Sequence, residues 1–116
     1  MTEQIIPIFR VADAEAAFSW YTRLGFERDF EHRFEPGLPL YLGIRRGDVR
    51  IHLSEHVGDA KPGSLAYVWV EDVDAVAAEF GVTVHSEPWA REIQLRDPDG
   101  NRLRIGQPTP EGGGSG

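Results

Sequence analysis

Three short segments set chemically capable side chains on alternate positions. In residues 49–54, Arg50, His52 and Ser54 fall on one face of an extended chain, and Val49, Ile51 and Leu53 on the other. In residues 65–70, Leu65, Tyr67 and Trp69 oppose Ala66, Val68 and Val70; near the C-terminus Arg102 and Arg104 oppose Leu103 and Ile105. The aliphatic face suits packing beneath helices. The other face is aromatic and polar, whereas a solvated face is mostly charged. Tyr67 and Trp69 on such a face suit a ligand cavity or a subunit interface. The chemistry they offer is non-covalent. Ring stacking adds about 0.5–1.5 kcal/mol beyond area burial. Cation–π contact adds about 0.5–2 kcal/mol, and an imidazole such as His52 donates or accepts a hydrogen bond.

Other chemistries find little support. The chain has no cysteine, which removes disulfides, thiolate catalysis and Cys-type zinc sites, and fits a cytoplasmic setting. Ser54 and His52 lack a nucleophile-elbow context. No glycine loop is built to cradle phosphate. The acidic residues are scattered, as on solvated faces, rather than paired for acid–base work. His32, His56 and His85 lie in segments without ligand-like spacing. A net charge of −7 and a pI near 5.0 argue against nucleic acid as a partner. No charged-then-apolar leader opens the chain and no apolar run approaches a membrane span, so no membrane partner is expected.

A repeat supplies the elements that must position these residues. Val11-Ala12-Asp13-Ala14-Glu15-Ala16-Ala17 returns as Val70-Glu71-Asp72-Val73-Asp74-Ala75-Val76. In each copy an apolar strand runs into an Asp that caps a short amphipathic helix, and a glycine (Gly25, Gly81) ends it. The spacing predicts strands over 5–11, 26–34, 40–46 and 49–54, then over 65–70, 82–85, 92–96 and 102–105. Pro7 places the first strand at an edge or a chain crossing. Gly47-Asp48 joins a hairpin, Asp97-Pro98-Asp99-Gly100 suits a type I turn, and 55–64 reads as the linker. The expected fold is α+β: two βαβββ modules, 5–55 and 64–107, form a curved mixed sheet around a cavity within one domain, 1–107. Residues 108–116 read as a flexible tail or an added linker.

Several stretches carry a resemblance. Phe18-Ser19-Trp20-Tyr21-Thr22-Arg23-Leu24-Gly25-Phe26 and Asp97-Pro98-Asp99-Gly100-Asn101 resemble parts common to the glyoxalase, or vicinal oxygen chelate, superfamily. Leu24 to Phe30, Leu65 to Val70 and Glu87-Pro88-Trp89-Ala90-Arg91-Glu92 are similar to its bleomycin-resistance branch. Pro7 sits where that branch exchanges a strand between subunits. The chain is shorter between Phe80 and Glu87 than most of that branch, which alters the pocket rim.

The superfamily's enzymes hold a divalent metal with His and Glu from four strands. Carried over, those positions are Ile6, His52, Leu65 and Arg104, of which only His52 is a ligand type. The resemblance therefore implies no metal, no cofactor and no catalytic residue. It implies a homodimer that confers antibiotic resistance by sequestering a bleomycin-type or similar planar cationic drug without turnover. Trp89 and Phe34 are the carried-over stacking residues; Phe30, His52, Tyr67 and Trp69 line the wall. The alternatives are a metal-dependent glyoxalase- or dioxygenase-like enzyme, a binding module for another aromatic metabolite, and a structural dimer. The rings also have plainer roles open to them: core for Phe30 and dimer packing for Tyr67 and Trp69; for Trp89, which follows a proline in a loop, ligand or interface contact is more natural than core.

Overall fold

The structure, a computed structural model, describes residues 3–33 and 35–109. Phe34 and positions 110–116 of the expected tail lie outside them. The chain divides into two compact units. One takes Met1–Ser64 and Asp97–Asn101, the other Leu65–Arg96 and Arg102–Gly116.

The first unit carries β1 (Ile8–Arg10), α1 (Ala14–Thr22), β2 (Glu27–His32), β3 (Tyr41–Arg46) and β4 (Val49–Ser54) in one sheet of order β1-β4-β3-β2. Asp13 opens α1 as the repeat predicts: its carboxylate accepts the backbone N–H of Glu15 at 3.0 Å and of Ala16 at 3.1 Å, a cap worth about 1 kcal/mol. Ala14, Ala17 and Tyr21 bury one face of α1, and Ile44, Ile51 and Leu53 bury one face of the sheet. β1 is shorter than expected, because only residues beyond Pro7 enter the ladder; Pro7 still contributes its carbonyl, which accepts His52 N–H at 3.0 Å. β1 lies at the sheet edge and pairs in parallel with β4 of its own chain.

Residues 55–64 are more than a connector. Glu55 accepts the backbone N–H groups of Ala14 at 2.8 Å and Leu40 at 3.0 Å. The turn at 97–101 supplies a sealed polar hub to the same unit. Asp97 accepts the Tyr21 hydroxyl at 2.9 Å and the Asn101 side-chain amide at 3.1 Å, and Asn101 is fully buried.

The second unit repeats the plan with β5 (Leu65–Trp69), α2 (Val73–Phe80), β6 (His85–Ser86), β7 (Ala90–Arg96) and β8 (Arg102–Pro108), in the order β5-β8-β7-β6. Asp72 caps α2 through Ala75 N–H at 3.1 Å. Gly81 ends it in the left-handed region, φ 65° and ψ 36°. The strand expected over 82–85 is a correction: Val82 spends its N–H on the Ala77 carbonyl at 3.0 Å to close the helix, leaving two residues to pair. β8 runs on to Pro108, which pairs opposite Ala90. Val68, Ile93, Leu95, Leu103 and Ile105 bury the face toward α2.

Candidate functional site

Period-2 alternation leaves each sheet a second face, away from its helix. In the first unit one row across the strands runs Ile8, His52, Gly43, Phe30. The Phe30 and His52 rings meet edge to face with centroids 5.1 Å apart. Tyr41 stacks on Phe30 at 6.2 Å, and its hydroxyl is 2.8 Å from His52 Nδ1. A β-bulge between Arg28 and Phe30 frees Asp29 from the ladder, and its carboxylate accepts the Arg50 guanidinium at 2.6 Å. Ile6, Asp29, Phe30, Asp48, Arg50 and His52 line an open hollow here. Burial holds the His52 pKa below its ordinary value, and Arg50 pushes the same way against Asp29.

In the second unit the corresponding face carries the row Trp69, Gly106, Glu92, His85. Tyr67 and Trp69 lie at 4.9 Å between centroids, tilted by 58°. The Tyr67 hydroxyl donates to Glu92 Oε2 at 2.6 Å, and Trp89 Nε1 donates to the same oxygen at 2.8 Å. The carboxylate is thus fixed among rings and Glu92 as a whole is only 9% exposed, while Trp69 and Trp89 each keep 52% of their surface open. The hydrogen bond from Tyr67 holds Glu92 below the usual carboxylate range, helped by Trp89 and Arg104. Tyr67 is pushed up to about 12, chiefly by desolvation and then by Glu92.

Phe30 and His52 therefore stand together in one unit, and Tyr67, Trp69 and Trp89 in the other. Phe30 is 40% exposed, so it is not a core residue. Sequence reasoning passed over Tyr41 and Glu92. Glu92 had a signal: it alternates with the apolar Ile93 and Leu95, which turns it to the ring face. It also passed over Gly43 and Gly106, whose missing side chains give the rings room to lie on the sheet. A Cβ on Gly106 would stand 2.2 Å from the Tyr67 hydroxyl oxygen.

A divalent metal does not fit these residues. Ile6 and Leu65 offer no donor atom, Arg104 is a cation, and His52 has one ring nitrogen tied to Tyr41. Among the described residues no group of three or more His, Cys, Asp or Glu side chains is placed to hold an ion.

A family model described as "Glyoxalase superfamily protein" matches residues 1–111. The chain belongs to the glyoxalase superfamily. No curated protein matches its sequence closely enough to count as a relative. Solved structures do match its fold. A bleomycin-binding protein complexed with bleomycin is 22% identical with a TM-score of 0.73, over 93% of this chain and 100% of that one. TnmS3, an antibiotic binding protein from Streptomyces sp. CB03234, is 28% identical with a TM-score of 0.70, over 94% and 99%. A bleomycin resistance determinant encoded on the transposon Tn5 is 23% identical with a TM-score of 0.69, over 92% and 98%.

Proposed function

We propose that this member of the superfamily is an antibiotic-binding resistance protein. It takes up a bleomycin-type or similar planar cationic drug and withholds it without chemical turnover, as a cytoplasmic homodimer. One observation carries the reading: on the face of the second sheet Tyr67, Trp69 and Trp89 present 40%, 52% and 52% of their surfaces. Leaving rings in water costs stability, and each fully buried large apolar side chain is worth about 1.5–3 kcal/mol. Tyr67 and Trp89, fixed by hydrogen bonds to one carboxylate, with Trp69 against Tyr67, make a binding surface rather than loose packing. Phe30, Tyr41 and His52 offer a second, smaller set of rings beside the Asp29–Arg50 pair. The donor set at the superfamily's metal positions supports binding over catalysis, and the similarity to antibiotic-binding structures points to the ligand class.

The test is calorimetric titration with metal-free and copper-loaded bleomycin, with tryptophan fluorescence followed in parallel. The expected result is saturable binding near one ligand per chain, quenching of fluorescence, and recovery of the drug unchanged. Trp89→Ala is expected to weaken binding about tenfold, the scale of one lost ring contact. Absence of both heat and quenching at high protein concentration overturns the reading for this drug class. Chemical conversion of the drug overturns the absence of turnover. Sedimentation velocity tests the dimer; a single species at 13.0 kDa rejects it.

A further inference from the structure

The geometry of the second sheet makes a sharper statement about what its ring face selects, and this rests on the binding function just proposed. Tyr67 and Trp89 both donate to Glu92 Oε2. Neither reaches Oε1, which has no hydrogen-bond donor among the described residues. Nor is Oε1 sealed, because among the described residues no buried side-chain oxygen or nitrogen lacks a partner. Glu92 stands in one row with Trp69 and takes its bonds from Tyr67 and Trp89, so this oxygen belongs to the face that carries the rings. An ionised carboxylate accepts up to four hydrogen bonds, and here the protein itself fills only one side of the group. Two donors on one oxygen also fix the plane of the carboxylate, so Oε1 points in one direction.

We propose that Glu92 is a specificity-determining residue: Oε1 accepts a hydrogen bond from a protonated nitrogen on the edge of a flat ring system stacked on Trp69 or Trp89. The class of ligand is a planar cation that carries N–H donors. Charge-assisted hydrogen bonds are roughly twice as strong as neutral ones, and the surrounding rings thin the competing water. The group remains ionised at neutral pH, since the Tyr67 hydrogen bond holds its pKa down. Arg104, opposite Tyr67 in the β5–β8 register, acts on Glu92 through space and offsets part of its field. His85 faces Glu92 in the β6–β7 register. Recognition by Oε1 therefore depends on a directed N–H rather than on positive charge alone.

Three acridines separate these terms in equilibrium dialysis at mildly alkaline pH. 9-Aminoacridine is a cation with N–H donors, 10-methylacridinium a cation without them, and acridine is neutral. The wild-type protein is expected to bind 9-aminoacridine about tenfold more tightly than 10-methylacridinium, the worth of one charge-assisted hydrogen bond. Glu92→Gln keeps an oxygen for Tyr67 and Trp89 and turns an amide outward; it is expected to abolish that preference. Equal affinity of the wild-type protein for the two cations overturns the proposal while leaving ring binding intact, and it needs no variant to fold. A preference retained in Glu92→Gln also overturns it. If none of the three probes binds, ring binding itself fails and the role of Glu92 fails with it.

Discussion

A Cβ added to Gly43 would stand 2.2 Å from Cε1 of Phe30. The aromatic ring rests on the bare backbone of β3, directly across the register from β2. The glycine is needed here for close approach, not for an unusual backbone angle. Because the ring is 40% exposed, it has open solvent to swing into. Gly43→Ala is therefore expected to displace Phe30 at a cost of only about 1 kcal/mol, the scale of an off-rotamer side chain. His52 and Tyr41 would lose their ring neighbour, so the His52 ring resonances should shift. With Phe30→Ala already in place, Gly43→Ala should cost nothing further. Additive losses in urea denaturation of the double mutant would contradict this coupling.

All three tyrosines are raised above the ordinary value of 10. Tyr21 is raised by burial and then by Asp97, Tyr41 by burial and then by Asp59. Tyr67 reaches about 12 through desolvation and its bond to Glu92. A phenol raised in the folded state contributes stability that is complete below the unfolded value and lost as pH climbs through the folded one. Ultraviolet titration should thus show tyrosinate appearing at higher pH in the folded protein than in the chain in urea. Ionisation of one residue near pH 10 in the folded protein would refute the environment described for at least one ring.

Asn101 organises the hub of the first unit. Its side-chain oxygen accepts Gly63 N–H at 3.2 Å and Ser64 N–H at 3.1 Å, and its amide donates to the Arg10 carbonyl at 3.1 Å and to Asp97. Asn101→Ala leaves part-buried backbone groups of Arg10, Gly63 and Ser64 and the buried Asp97 carboxylate without this partner, each lost bond to a desolvated group costing about 1–3 kcal/mol. A loss of roughly 3 kcal/mol or more is expected in chemical denaturation. Tyr21→Phe, which removes one hydroxyl from Asp97, should cost less. A loss below 1 kcal/mol for Asn101→Ala, on the scale of one ordinary hydrogen bond, would show that water replaces these bonds.

The hub also marks how far the sequence was readable. The Asp13 and Asp72 caps, the Gly47 hairpin and the sidedness of 49–54 and 65–70 follow from local rules, and a local pattern suffices to find them. The turn at 97–101 was legible as a turn, but not as the polar centre of the first unit, because its partners Tyr21, Arg10, Gly63 and Ser64 are distant in the chain. Glu92 was passed over for the same reason: its role comes from Tyr67 on another strand and Trp89 in a loop. Gly43 and Gly106 gave no signal at all. A glycine in a strand shows its use only when the ring lying over it is known.

His52 supplies a pH dependence whose sign is fixed by its surroundings. Burial lowers its pKa below the ordinary 6.5; Asp29 works against that and Arg50 with it. Tyr41 and Phe30 complete the groups around the ring. The unfolded chain therefore takes up this proton at a higher pH than the folded protein. Stability is complete above the unfolded value and falls as pH drops from about 6.5 toward the lower folded value. His52→Gln keeps a partner for the Tyr41 hydroxyl and removes the titrating ring. Urea denaturation at roughly pH 7.5 and pH 5.5, one on each side of the unfolded value, should show a larger loss for the wild-type protein than for this variant. Equal losses in the two proteins would mean that the imidazole protonates as readily in the folded state as in the unfolded one, and that the Tyr41–His52 contact does not keep it neutral.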